Sequence, residues 1–311
     1  MDQRTLRSHS TTRTLAAYCL TMCLFLGTTL RSLGDDQLIC CGAEEVFILR
    51  LDENGKDAPE SIWSWRASDS PGVPEALRKT FASTDECKPV GEHILITSSS
   101  GGVALVLRSD KTCHFFAIAK NAHSACLLPD YRVAVASSFG GDELLVYELE
   151  KPDGAPTKPL AKIALRGAHG AVWDKQLKRL WALGSDELLL VDIGKDRKTT
   201  KLNVEKRIQL PTPGGHDLSP TREQAIMHVT TNKHVYRFNK DDASFSPAPI
   251  LADLPKVKSV SENPDSGRIV YHQGTPENWW SDMIRFTDQE KAIHLPGRRL
   301  YKIRWDRTLS K

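Results

Sequence analysis

Helix is scarce in this sequence. Across 311 residues no long stretch repeats its apolar side chains at helical spacing. The one short candidate is residues 73–82, VPEALRKTFA, which follow Pro71-Gly72. An all-helical fold and an alternating α/β fold are both excluded. The usual marks of nucleotide, serine-hydrolase and zinc-protease chemistry are missing too: there is no Walker motif, dinucleotide fingerprint, GxSxG elbow or HExxH. Gly140-Gly141 and Gly214-Gly215 read as turn glycines. No CxxC pair is present, so a zinc knuckle is excluded.

Charge of one sign is also lacking once the first residues are set aside. Arg4, Arg7 and Arg13 precede an uncharged apolar run at 15–30, and Ser32-Leu33-Gly34 then offers small residues for cleavage. That is the grammar of a secretory signal peptide, and the run falls short of the ~20 residues that span a bilayer. We expect a signal peptide over 1–34, cleavage near Gly34, and a single exported domain over 35–311, periplasmic or extracellular. Taking the leader's four Arg and one Asp from 42 Lys+Arg and 39 Asp+Glu leaves 38 of each. A neutral chain has no global basic field for nucleic acid. No later stretch is apolar enough to span a membrane, and a monomer is expected. Cys19 and Cys23 leave with the leader. Cys40, Cys41, Cys87, Cys113 and Cys126 remain. They read as buried small hydrophobes, with a disulfide among them as the alternative in an oxidising compartment. Cys40 and Cys41 alternate faces on a strand and do not pair with each other.

What is present is a repeat. Short β-rich runs are separated by Gly, Pro, Asp and Asn. RVAVAS and ELLVYEL, RLWAL and ELLLVDI, and RIVYHQ and DMIRF are strand pairs across tight polar turns. Each pair follows a segment that opens on a basic residue and precedes a fourth apolar run. Four strands recurring every 40-odd residues make a propeller blade. Openers fall near Lys88, His123, His169, His216, Lys258 and Lys302, which gives six blades. The last opener, YKIRW at 301–305, has no partners after it, and LICC, EVFILRL and IWSWR near the start supply them. We therefore expect an all-β, six-bladed propeller whose last blade joins N- and C-terminal strands. A β-sandwich is the alternative.

First strands line the channel of a propeller, so their opening residues converge. His123, His169 and His216 have small neighbours and could hold a divalent metal (Mn, Ca or Zn) or act as a base. Lys88, Lys258 and Lys302 would occupy the other half of the ring, with Arg304 on the same side as Lys302. Cations gathered there call for an anion, from Glu86, from Asp217 or from a ligand carboxylate or sulfate. Trp279 and Trp280 share a loop, and an exposed Trp can stack on a sugar. These residues predict a site for an acidic carbohydrate or a small anion. Three uses compete for it: a lyase, a non-catalytic glycan-binding module, and a protein-interaction scaffold with the ring as packing.

DECKPV at 85–90, NAHSACLLPD at 121–130, GAHGAVWD at 167–174, GGHDLSP at 214–220 and VKSVSENPDSGRIVY at 257–271 resemble a family of exported bacterial propellers catalogued as a domain of unknown function. The resemblance covers nearly all of the chain after the leader and implies six blades and no established activity. The His216 to Ser219-Pro220 turn is similar to one in oligogalacturonate lyase. There, channel histidines hold a manganese ion that binds the uronate carboxylate, and this resemblance implies lyase chemistry; the blade count and the fourth ligand do not match.

Overall fold

The computed structural model describes residues 36–51, 59–149, 155–196 and 200–306. The expected leader, with Cys19 and Cys23, lies outside them. The described chain forms six four-stranded antiparallel sheets in a ring. Blade 1 is Thr84–Val90, His93–Ser98, Gly102–Leu107 and Cys113–Ile118. Blade 2 is Ala122–Leu128, Arg132–Ser137, Glu143–Glu148 and Pro159–Ala164. Blade 3 is Gly170–Asp174, Arg179–Leu183, Glu187–Asp192 and Asn203–Gln209. Blade 4 is Asp217–Pro220, Ile226–Thr230, Val235–Asn239 and Ser244–Pro247. Blade 5 is Val257–Glu262, Ile269–Gln273, Met283–Phe286 and Ile293–His294.

Blade 6 closes the ring as expected. Lys302–Trp305 pairs with Gln37–Gly42, in the register Leu38 opposite Trp305 and Cys41 opposite Lys302, and Glu45–Arg50 and Glu60–Trp65 follow. A bidentate ion pair from Arg108 of blade 1 to Asp306, at 2.5 and 2.9 Å, anchors the segment after the closing strand. The short helical candidate at 73–82 forms a 3-10 helix, Glu75–Phe81, and a further 3-10 turn, Ala67–Asp69, precedes it on the connection from blade 6 to blade 1. Among the described residues no helix is long and apolar enough to cross a membrane.

The apolar side chains fall into clusters between neighbouring blades. Alternation along one strand feeds two of them: Leu38 and Cys40 pack towards blade 5, Ile39 and Cys41 towards blade 1. Trp65, Trp181 and Trp305 are buried in such seams. All five cysteines of the described chain are buried and free, so the disulfide alternative falls.

Candidate functional site

The inner strand of each blade begins with an irregularity that aims two consecutive residues inward. In blades 1, 2 and 5 the register shifts between Thr84 and Glu86, Ala122 and Ser124, and Val257 and Ser259. These are one-residue bulges, which bend a strand and re-aim its side chains. The bulged residues are Asp85, His123 and Lys258. In blades 3, 4 and 6 the residue before the first ladder pair holds the same place. The backbone N–H groups of His169, His216 and Tyr301 donate to Leu183, Thr230 and Cys41 across the ladder, at 2.8, 2.9 and 2.8 Å. The rim layer of the channel is therefore Asp85, His123, His169, His216, Lys258 and Tyr301. The layer beneath is Glu86, Ser124, Gly170, Asp217, Ser259 and Lys302.

This frame corrects the expected half-ring of lysines. Lys302 sits one residue below the rim and Lys88 three below, so of the three only Lys258 reaches it. Basic residues do not mark the frame of the openers; an apolar position does. Cys87, Ala125, Ala171, Leu218, Val260 and Ile303 are all fully buried two positions after the rim residue. Aligning on them in the sequence would have found Asp85 and Tyr301, which sequence reasoning missed.

The deeper cations already have partners within the protein: three of them share two carboxylates, and Lys88 leans on neutral oxygens as well. Arg304 spans the channel and makes paired contacts with two carboxylates. Its Nε and Nη2 donate to Glu86 at 2.9 Å each, and Nη1 and Nη2 donate to Asp217 at 2.8 and 2.6 Å. Lys302 Nζ lies 3.2 Å from Asp217 and 3.4 Å from Glu86, and Lys88 Nζ lies 3.7 Å from Glu86. Lys88 also donates to Ser124 Oγ and to the Ala125 and Ala171 carbonyls at 3.0, 3.0 and 2.8 Å. Gly170 is what lets blades 3 and 4 close up here: a Cβ on it would stand 2.7 Å from that of Leu218. Burial pushes the Glu86 and Asp217 carboxyls up, but Arg304 and then Lys302 outweigh it, and both are held below their ordinary values, Glu86 well below. Glu86, Asp217, Lys302 and Arg304 are essentially sealed from water. They form a charged plug that closes the channel, and they are not groups waiting for a ligand. Their expected substrate-binding role is corrected accordingly.

Above the plug the three histidines do meet, edge against face. The His123 and His169 ring centroids are 4.3 Å apart, and those of His169 and His216 are 5.2 Å apart. One nitrogen of each ring is hydrogen-bonded to a neighbour. His123 Nδ1 faces the Asn121 carbonyl at 3.0 Å, and His169 Nδ1 faces the Gly167 carbonyl at 2.8 Å and Ser138 Oγ at 3.1 Å. His216 Nε2 faces Asn232 Oδ1 at 2.7 Å and Lys258 Nζ at 2.8 Å. Among the described residues no group of three His, Cys, Asp or Glu side chains is arranged to hold a metal ion. The metal expected on His123, His169 and His216 has no preformed ligand set among the described residues: the rings lie tilted or edge to face, and two of them turn Nδ1 to backbone carbonyls.

The rim is built to stay uncharged around one amine. Burial, and then each other, push the His169 imidazole well below its ordinary value, and burial with Lys258 pushes His216 down to about 3. Burial, Lys256 and Lys302 push Lys258 down to about 7. No carboxylate pairs with Lys258 among the described residues. Across the rim, burial raises the Asp85 carboxyl and lowers His123, whose Nε2 is 3.7 Å from Asp85 Oδ1. His123 Nδ1 donates to the Asn121 carbonyl, which leaves Nε2 turned towards Asp85.

Depressed histidines make stability depend on pH. His216 and His272 are pushed by burial to about 3, and His228 by burial and Arg237 to about 4. As pH falls below about 6.5 the unfolded chain takes up these protons and the folded chain does not. Their contribution is therefore complete above pH 6.5 and is lost progressively towards pH 4 and 3. The denaturation midpoint in urea should drop steadily from pH 7 to pH 4, and a His272→Phe variant should show a shallower slope.

Trp279 and Trp280 lie on the loop between the second and third strands of blade 5, on the same face as the rim. Trp279 is 61% exposed and Trp280 half-buried. A cavity of about 470 Å³ opens on this face beside the rim, between Gly42–Glu45 and Pro296–Leu300.

No protein of curated function matches the sequence. Several solved structures share the fold. One chain of a nidogen/laminin complex aligns with a TM-score of 0.57 at 12% identity, over 88% of this chain and 99% of that chain. A candidate 6-phosphogluconolactonase from Bacteroides uniformis gives 0.51 at 13%, over 86% and 83%. A second, from Bacteroides fragilis, gives 0.55 at 8%, over 84% and 80%. At these identities the likeness is one of fold alone. The match that carries identity is to a family model covering residues 42–311: the chain belongs to the family of unknown function DUF6528.

Proposed function

We propose that this propeller is an exported monomer that binds an acidic carbohydrate over the rim and cleaves it by elimination, as a polysaccharide lyase does. The observation that carries the reading is Lys258. It is an amine at the channel mouth, 5% exposed, 2.8 Å from His216 Nε2, and pushed down to about 7. An amine that is uncharged near neutral pH is a general base. If His216 Nε2–H donates to Asn232 Oδ1, its nitrogen cannot also accept, and only the uncharged form of Lys258 suits that contact. The neighbouring His216 imidazole, pushed down to about 3, stays uncharged and offers no counter-ion that would favour the ammonium.

In the reaction Lys258 takes the proton from the carbon beside the uronate carboxylate. The C–H electron pair becomes the carbon–carbon double bond, and the glycosidic C–O bond breaks. The departing oxygen takes the proton back from the Lys258 ammonium, so the base is restored. Lys256 is the nearby cation for the substrate carboxylate; its Nζ donates to the Thr275 carbonyl at 3.0 Å and to that of Pro276, and it has no carboxylate partner among the described residues. His169, with Nδ1 turned to Gly167, offers Nε2 as an acceptor for a sugar hydroxyl, and the half-exposed Phe139 ring, 6.0 Å from it, adds an apolar face.

Incubation with a panel of polyuronates, read by the ultraviolet absorbance of an unsaturated product, tests this. Turnover should rise with pH through about 7, and Lys258→Met should lower kcat by about a hundredfold or more. Binding without product would favour a non-catalytic glycan-binding module, which uses the same rim and needs no base. Turnover that survives Lys258→Met would overturn the assignment.

A further inference from the structure

The cavity beside the rim carries charge that the protein does not consume. It lies against the rim-side end of blade 6, beside the segment that enters that blade from blade 5, and is about 470 Å³ in volume. Its lining includes Glu44, Glu45, Arg66, Arg298 and Arg299. Arg66 pairs with Glu44 at 2.9 Å and with Glu45 at 3.6 Å, and Arg298 pairs with Glu45. Three arginines against two glutamates leave one cation over. That cation is Arg299, which has no carboxylate partner among the described residues and rests on the Trp280 ring, 5.1 Å from its centroid.

Backbone geometry holds this arrangement in place. Ser281 and Leu300 form an antiparallel bridge with both N–H groups bonded, at 3.3 and 2.9 Å, which fastens the Trp279-Trp280 loop beside Arg299. A Cβ on Gly42 would stand 1.7 Å from the Arg299 carbonyl oxygen, so glycine is what lets this segment lie against the strand end. Leu300 lines the cavity and Tyr301 stands in the rim, so one peptide bond separates the two sites in the chain.

We propose that this cavity is a second subsite for an acidic sugar unit of the same chain whose neighbouring unit lies over the rim. It rests on the reading of the rim as an acidic-carbohydrate site. Arg299 takes the carboxylate. Its guanidinium offers a planar pair of donors that matches a carboxylate, and stacking on Trp280 keeps that plane oriented. The exposed Trp279 offers its face to the apolar side of a sugar ring. Arg298, which lies 4.4 Å from the centroid of the Phe47 ring and is paired with Glu45, is the wall and not the ligand.

The test is calorimetric titration of the full chain with uronate oligosaccharides of increasing length. A bound second unit should make the longer oligomers bind at least about tenfold tighter than the monosaccharide. In Arg299→Ala and in Trp279→Ala the ratio of long to short affinity should collapse towards one. Both side chains are exposed, and unchanged thermal midpoints will show that the variants are folded. In His169→Ala every length should weaken while the ratio persists. A ratio undiminished in both rim-distal variants would overturn the subsite and leave the rim reading standing. A ratio lost in Arg299→Ala, with His169→Ala and Lys258→Met binding as the parent does, would keep the cavity as the site and overturn the rim reading. No binding of any acidic oligosaccharide would overturn both.

Discussion

Arg304→Ala is expected to destabilise the protein by about 3–5 kcal/mol, the usual cost of removing one partner from a buried ion pair. The size follows from what is left behind. Glu86 and Asp217 together lose four contacts of 2.6 to 2.9 Å from one guanidinium. Two sealed carboxylates would then share Lys302 and Lys88, whose contacts with them run from 3.2 to 3.7 Å. One of the carboxyls would have to take up a proton, so the variant should also gain a steep loss of stability at mildly acidic pH. Arg304→Lys should rescue little, since an ammonium cannot donate in parallel to two carboxylates. Urea unfolding of the three proteins measures this directly. A loss below about 1 kcal/mol would mean that the plug is hydrated and weak, in the manner of a surface pair.

The second large effect is expected from a stop placed before Tyr301. The strand that would be lost is only four residues long, Lys302–Trp305. It nevertheless supplies Ile303 and Trp305 to the seam with blade 5, Lys302 and Arg304 to the plug, and the inner edge of blade 6. Without it the edge of Gln37–Gly42 stands unpaired, an invitation to aggregation. The truncated chain should fail to show a cooperative thermal transition and should precipitate. A stop after Asp306 should leave the transition in place. If the shorter chain instead melts like the parent with only a few degrees lost, blade 6 contributes little to ring closure.

The blades were legible in the sequence because their signal is periodic and apolar. Alternating runs such as RVAVAS and ELLVYEL define strands wherever they occur, and the orphan YKIRW pointed to its missing partners. The site was legible only in part. His123, His169 and His216 meet because they occupy one structural position, and a repeat displays such a position openly. Lys88 and Lys302 were placed beside them on charge, and charge carries no register. The bulges at Asp85, His123 and Lys258 add one residue each without any change in composition, so counting from a basic residue loses the frame. The role of Arg304 as the centre of the plug could not be read from its own strand, since its partners lie in blades 1 and 4, 218 and 87 residues away. Arg299 lay outside the repeat altogether, in a loop with no periodicity to display it.

The plug also orders the assembly of the molecule. Until Arg304 docks, Glu86 and Asp217 are carboxylates facing an open, wet channel. Contacts this distant in sequence form late and slowly. A chain with five finished blades and no closing strand would thus have a loose, hydrated centre, and its rim residues would lack their floor. Any catalytic competence would appear in one step, when the closing strand docks and water leaves the middle of the ring.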